Sequence, residues 1–230
     1  MNQDQDYDTW HQCHEIDDDI NTPWHRFVTG HYDVEQDIAG KTILEIGCGR
    51  GGFSNHLARL VPSPRRIFAC DFSESALRMG ENRYGHPAIT WKKEDIMALS
   101  FSDNSFDTAI SCETIEHVPD SKQALNELYR VIKPGGTLFL TCPNYFNLFG
   151  IWCIYRWMIG KPFTEGGQPY VHYLLAANVR RWFRHAGFKM EKCLSSEIII
   201  PARVPRHFYK DKAPSWLNYF GFRTFYVLKK

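Results

Sequence analysis

One junction constrains this chain more than any other. The apolar run Thr42-Ile43-Leu44-Glu45-Ile46 passes directly into Gly47-Cys48-Gly49-Arg50-Gly51-Gly52. A short run of this kind predicts a buried parallel strand. The glycines permit a tight turn and let a ligand approach bare backbone. Phe53, Leu57 and Leu60 follow at helical spacing, so a helix opens where the loop ends. Strand, glycine loop and helix make the first half of a nucleotide-binding βαβ unit, with its ligand crevice at the carboxyl end of the strand.

The spacing Gly47, Gly49, Gly52 fits GxGxxG, the pattern of dinucleotide sites. Glu45 argues against a dinucleotide, because a carboxylate at the strand end repels a pyrophosphate and attracts a cation. S-adenosylmethionine carries a sulfonium and an ammonium and no phosphate. The stretch resembles motif I of class I S-adenosylmethionine-dependent methyltransferases. That resemblance implies cofactor contacts from Glu45, Gly47, Cys48 and Gly49. Arg66-Ile67-Phe68-Ala69-Cys70-Asp71 reads as the second strand. Asp71 stands about 20 residues past the glycine loop, where an acid accepts from ribose hydroxyls. Phe72 is expected to pack on the adenine, and Ser73 to cap the next helix. After a short third strand at residues 88–91, the resemblance puts Asp95 on the adenine amino group, with Ile96 beside it. A lone Asp in a loop is otherwise a turn residue.

Strand and helix continue to alternate. Residues 106–112 predict a fourth strand. Asp120 and Gln123 form a capping-box-like pair at the start of a helix with Ala124, Leu125, Leu128 and Ile132 as its buried stripe. Lys133-Pro134-Gly135-Gly136 stops that helix, and residues 137–142 form a fifth strand. Residues 143–175 break the alternation and read as an insertion at the carboxyl ends of the strands, where ligands bind. The insertion holds an aromatic run, Ile151-Trp152-Cys153-Ile154-Tyr155-Arg156-Trp157-Met158-Ile159, and then Phe163-Thr164-Glu165-Gly166-Gly167-Gln168-Pro169. A helix over 174–186 closed by Gly187 follows, then strands over 188–197 and 222–228. The expected fold is α/β: a Rossmann-like, seven-stranded, mostly parallel sheet with helices on both faces and, by the resemblance, an antiparallel last strand. Residues 1–40 read as an N-terminal tail, loosely held over 1–20, and a cofactor-covering segment. Residues 41–230 read as the methyltransferase domain.

At 230 residues the chain suits one decorated domain. A net charge of +1 demands neither nucleic acid nor membrane. The charge is uneven: Asp4, Asp6, Asp8, Glu15, Asp17, Asp18 and Asp19 crowd the start, while Lys and Arg dominate after residue 200. The seven cysteines form no CxxC pair, which suits a reducing cytoplasm. The acidic N-terminus is not a signal peptide, and no uncharged apolar stretch spans a bilayer. The aromatic run reads as a packed lid or, with Arg156 and Lys161, as peripheral contact with the inner face of a membrane.

A second constellation follows the fourth strand: Glu113-Thr114-Ile115-Glu116-His117-Val118-Pro119-Asp120. If residues 113–117 form a helical turn, the two carboxylates share a face. Two carboxylates and an imidazole suit Mg²⁺ or Mn²⁺, and a second His would admit Fe²⁺ or Zn²⁺. The Glu-x-x-Glu-His pattern resembles metal-dependent O-methyltransferases of ubiquinone biosynthesis and of small-RNA 2′-O-methylation. In the RNA branch a downstream histidine completes the site, and His172, 55 residues after His117, stands at the matching place. The metal set is then Glu113, Glu116, His117 and His172. Against it stand a pocket-lining Glu113, a metal-free general base at His117 and a surface His172. With the metal bound, Glu165 is a candidate base.

The function expected is O-methylation of a hydroxyl, metal-assisted. The Phe163–Pro169 segment resembles methyltransferases of bacterial glycan and glycolipid assembly, so the acceptor is read as a saccharide or related natural product. Ring hydroxyls of quinones or catechols and a terminal RNA ribose are the alternatives. No RNA-binding domain or strongly basic total charge supports nucleic acid. A non-catalytic cofactor-binding partner subunit is the reading from another class.

Overall fold

A computed structural model describes residues 3–14, 20–163, 168, 170–196, 198–200, 206–208 and 220–230. The strands are β1 (Thr42–Ile46), β2 (Arg66–Asp71), β3 (Ile89–Lys93), β4 (Phe106–Cys112), β5 (Ile132–Pro143), β6 (Lys189–Ser196), β7 (Ile198–Ile200), β8 (Arg206–Phe208) and β9 (Arg223–Lys229). Seven of them form one sheet in the order β3-β2-β1-β4-β5-β9-β6. β1 to β5 are parallel, and β9 runs against both of its neighbours. This is the expected Rossmann-like sheet with a reversed last strand. A separate ribbon of β7 and β8 adds to it. The ribbon's strands, three residues each, are too short to show an alternation in sequence.

The helices are α1 (Gln3–Cys13), α2 (Pro23–Thr29), α3 (Gly52–Ala58), α4 (Glu74–Arg83), α5 (Ser121–Val131), α6 (Leu148–Met158) and α7 (Ala176–Ala186). They cover both faces of the sheet. On one face Leu125 and Leu128 of α5 and Val179 and Phe183 of α7 pack with Leu138, Leu140 and Tyr226. On the other, Phe27 of α2, Phe53 and Leu57 of α3 and Leu77 of α4 pack with Ile43, Ile110 and Phe139. Each fully buried side chain of this size contributes about 1.5–3 kcal/mol.

Local signals explain most helix ends. The Asp120 carboxylate accepts from the backbone of Lys122 and Gln123 at 3.0 and 3.1 Å, a cap worth about 1 kcal/mol. The reciprocal half of the expected capping box is absent at Gln123, whose side chain donates to Met97 O at 3.2 Å. Ser73 caps α4 through the Ala76 amide. Gly51 opens α3 with a φ of 74°, and a Cβ there would lie 2.1 Å from the Trp91 ring.

The N-terminal stretch departs from expectation. Within residues 1–20, read as loosely held, α1 is a regular helix. Tertiary contacts hold it. Tyr7 is buried, and the Asp8 carboxylate accepts from Ser73 Oγ at 2.7 Å and from Ser75 N at 3.0 Å. Arg50 of the glycine loop donates to the carbonyls of His11 and His14 at 2.7 and 2.6 Å. A helix stabilised by packing rather than by its own periodicity leaves little trace in sequence. Among the described residues no helix is long and apolar enough to cross a membrane.

Candidate functional site

The glycine loop turns sharply over the end of β1. Gly47 has a φ of 76°, and a Cβ on it would lie 2.1 Å from Thr114 Oγ1. Its amide donates to Cys70 O, which ties the loop to β2. Asp71 closes the same junction: Oδ2 accepts from Gly49 N at 2.8 Å and Oδ1 from Ser73 N at 2.9 Å. Asp71 is buried, and that burial raises its pKa. Glu45 is buried at the foot of the loop and accepts from Ser54 Oγ. Burial, opposed by the Ser54 hydrogen bond and reinforced by Asp71, pushes its carboxyl up to about 7. The same burial and neighbouring carboxylates keep the Cys48 thiol neutral.

A cavity of about 300 Å³ opens beside this loop. Gly47, Phe72, Asp95, Ile96, Thr114 and His117 are among its walls. Four of the expected cofactor residues therefore share one cavity with the expected base. Glu45, Cys48, Gly49 and Asp71 shape the loop next to it. Asp95 is exposed and also serves its own turn, accepting from Met97 N at 2.8 Å. Tyr7 of α1 stands edge-on to Phe72, with ring centroids 4.8 Å apart, and 6.2 Å from the His117 ring.

The second constellation is not the helical turn expected. Glu113 has a φ of 51°, in the left-handed region, and only Ile115–His117 form a short 3₁₀ turn. The left-handed residue aims Glu113 away from Glu116, toward β5 and β9. There Glu113 pairs with Arg223, and Oε1 accepts from Thr141 Oγ1 at 2.9 Å. Arg223 also lies over the Trp24 ring at 4.6 Å. Glu116 is fully buried, with Oε1 3.7 Å from His117 Nε2. His172 donates its backbone N–H to Glu116 O at 2.7 Å, but its Nε2 is held by the Tyr170 hydroxyl. Among the described residues no group of three or more His, Cys, Asp or Glu is gathered where a metal ion could sit. The donor set Glu113, Glu116, His117 and His172 does not fit a divalent cation. Glu165 and most of the Phe163–Pro169 segment lie outside the described residues.

His117 is built for another task. Nδ1 lies 2.7 Å from Tyr170 O, so Nδ1 carries the proton and donates it to that carbonyl. Burial, opposed by this hydrogen bond, pushes its pKa down to about 4. Tyr7 donates its hydroxyl to the same carbonyl at 3.1 Å. Sequence reading missed Tyr7, Arg50, Tyr170 and Arg223. All four act through partners more than thirty residues away, and Arg50, though it stands in the glycine loop, shows nothing there of its bonds to the N-terminal stretch.

Comparison with known proteins agrees with this geometry. The methyltransferase domain family matches residues 44–140. An uncharacterized methyltransferase of Mycobacterium tuberculosis is 31% identical over 147 residues, covering 60% of this chain and 71% of that protein. The chain belongs to this family. It is a class I S-adenosylmethionine-dependent methyltransferase. The 2-phytyl-1,4-naphthoquinone methyltransferase of Nostoc punctiforme is 38% identical over 101 residues, 42% of this chain and 44% of that protein. The ubiquinone/menaquinone biosynthesis C-methyltransferase of Klebsiella pneumoniae is 32% identical over 125 residues, 53% of this chain and 49% of that protein. The chain thus spans about half the length of these quinone methyltransferases. In fold it is similar to a chain of the complex between the Haloferax volcanii Trm112 methyltransferase activator and a candidate methyltransferase. That match has a TM-score of 0.70 at 21% identity and covers 98% of this chain and 96% of that one.

Of the three acids at the methyltransferase crevice, Glu45, Asp71 and Asp95, Asp95 lines the cavity, while the buried carboxyl groups of Glu45 and Asp71 brace the glycine loop beside it. Arg50, the one cation of the glycine loop, is committed to the carbonyls of His11 and His14 rather than offered to a phosphate. Bare backbone at Gly47 forms part of the wall.

Proposed function

We propose that this methyltransferase acts on a hydroxyl of a small-molecule acceptor, with His117 as general base and no metal-held donor set. The bound cofactor supplies an activated sulfonium methyl, so the protein's task is alignment and removal of one proton. In this reading Gly47, Cys48 and Gly49 form the turn under the methionine part, and Glu45 faces its cationic end. Asp71 takes the ribose hydroxyls, while Phe72, Asp95 and Ile96 hold the adenine. Residues 1–40 cover the cofactor through α1, and residues 41–230 form the transferase domain with its insertion at 143–175 toward the acceptor.

The observation that carries this reading is the His117–Tyr170 hydrogen bond. With Nδ1–H held by a carbonyl, Nε2 is the nitrogen that accepts the hydroxyl proton. The Glu116 carboxyl beside Nε2 then stabilises the imidazolium that results. Glu113 is assigned to the ion pair with Arg223, not to the reaction. A saccharide or related natural-product hydroxyl is the acceptor favoured by the insertion. The quinone methyltransferase relatives favour a second acceptor, the ring of a quinone-type molecule.

A screen of acceptor classes with labelled S-adenosylmethionine, run with and without EDTA, tests this. Transfer is expected to survive EDTA. With the acceptor found, His117→Asn lowers kcat by about 10²–10⁴-fold and leaves S-adenosylhomocysteine binding unchanged. Because His117 stays neutral down to about pH 4, kcat shows no titration of this group near neutral pH. Turnover lost in EDTA and restored by a divalent cation overturns the metal-free assignment.

A further inference from the structure

Away from the crevice, the groove between α5 and α7 gathers charge that packing does not explain. Its volume is about 340 Å³, and Lys122 and Asn126 of α5 line it with Arg181, Trp182 and His185 of α7. Lys122 and Asn126 stand one turn apart on one face of α5, as Arg181 and His185 do on α7. Trp182 packs against the core with part of its ring and walls the groove with the rest. The Lys122 ammonium lies 5.8 Å from the centre of that ring.

The charge in this groove is uncompensated. Nearby cations are paired: Arg130 with Glu127 and Asp103, and Lys133 with Asp107. Lys122, Arg181 and His185 meet no carboxylate among the described residues. Helix α7 contains no Asp or Glu, and the Asp120 carboxylate is taken by the amides of Lys122 and Gln123. The helix dipole favours His185 in the last turn of α7 but disfavours Lys122 in the first turn of α5. Donors also outnumber acceptors. An ammonium and a guanidinium only donate, and the buried Nε1–H of Trp182 meets no acceptor among the described residues. A ligand for this groove brings negative charge and several acceptor oxygens. A phosphate group supplies both in compact form, two oxygens for the guanidinium fork and one for the ammonium. A carboxylate has two oxygens and satisfies Arg181 alone. The volume suits a small molecule, and the cations converge on one groove of a chain with a net charge of +1, unlike a nucleic-acid stripe.

We propose that the groove between α5 and α7 binds the phosphate group of a small phosphorylated molecule, with Arg181 and Lys122 on its oxygens and the Trp182 ring beside its body. The site is distinct from the cofactor cavity, with which it shares no lining residue. It rests on the groove alone and holds whichever acceptor the crevice takes.

The test titrates the full chain, isotopically labelled at nitrogen, with inorganic phosphate and with phenyl phosphate at constant ionic strength. The indole N–H resonance of Trp182, identified by its loss in Trp182→Phe, is expected to shift saturably with both. Phenyl phosphate half-saturates at the lower concentration, because its ring meets the indole. Arg181→Gln weakens binding about tenfold, the loss of one charge-assisted hydrogen bond. Lys122→Gln and Arg181→Gln together abolish the saturable shift. Both side chains are exposed, so the double variant keeps the parent melting temperature and affinity for S-adenosylhomocysteine. A Trp182 resonance that does not move overturns the proposal, as do unchanged shifts in the double variant. Equal shifts on adding sodium chloride alone also overturn it, since screening then accounts for them. A short single-stranded RNA that binds more tightly than phenyl phosphate, by a margin that grows as salt falls, overturns the small-molecule assignment and gives the groove to a nucleic-acid backbone.

Discussion

At the carboxyl ends of β1 and β2 the acids hold the loop and the helix that follow in the chain. Asp71 holds the amides of Gly49 and Ser73, and Glu45 holds Ser54. At the carboxyl ends of β4 and β5 the polar groups hold one another across the fold. Glu113 holds Arg223, His117 holds Tyr170, and the Glu116 carbonyl holds the His172 amide. The separations in sequence differ accordingly: 22 residues from Gly49 to Asp71, against 110 from Glu113 to Arg223. The cofactor side of the crevice is thus set by local chain geometry, and the acceptor side by long-range pairing. The same residue type, a carboxylate at a strand end, takes a different task on each side.

Breaking the long-range side has the largest expected effect. Arg223→Leu leaves the Glu113 carboxylate nearly buried without its cation, and unfolding in urea is expected to show a loss of about 3 kcal/mol. The double variant Glu113→Gln, Arg223→Leu recovers most of it, because no charge is stranded. If the single variant is as stable as the parent, the pair does not hold the acceptor side together.

Gly47→Ala breaks the local side. The φ of 76° and the contact with Thr114 leave no room for a Cβ. Calorimetry is expected to show S-adenosylhomocysteine bound about a hundredfold more weakly.

Glu45 sharpens the comparison through pH. Its pKa is raised on folding from 4.5 to about 7. The folded state therefore holds a proton that the unfolded state releases. That contribution is fully present below about pH 4.5 and is lost as pH rises through about 7. Relative to Glu45→Gln, wild-type stability is expected to fall by about 2 kcal/mol between pH 5 and pH 8 in paired urea titrations. A constant difference across that range would show that Glu45 ionises normally in its buried site.

What was legible in sequence follows the same division. The β1 strand, the glycine turn and the acid closing β2 could be read because each depends on residues within one βαβ unit. The α5 stripe through Ala124, Leu125 and Leu128 and the Asp120 cap were likewise visible, whereas Ile132, read as the end of that stripe, opens β5. The helical turn at 113–117 was misread because a left-handed Glu113 has no mark in composition, and its ion-pair partner lies on the last strand of the sheet. Helix α1 was missed because its acidic, weakly amphipathic sequence resembles a solvated tail. It is ordered by Tyr7, Asp8 and Arg50, whose partners lie elsewhere in the fold. The aromatic run of the insertion was read as a packed lid or a membrane contact, and only the fold shows which of its side chains pack inward and which face outward.

The central claim is that the cofactor side works as a methyltransferase crevice independently of the Glu-x-x-Glu-His residues. Titration calorimetry with S-adenosylhomocysteine on EDTA-treated wild type, Glu113→Gln and Asp71→Asn tests it most directly. Saturable binding is expected for the EDTA-treated wild type, unchanged within about twofold in Glu113→Gln and weakened about tenfold in Asp71→Asn, where charge-assisted hydrogen bonds are lost. Loss of binding in EDTA or in Glu113→Gln, or saturable binding of NAD in place of S-adenosylhomocysteine, would contradict it.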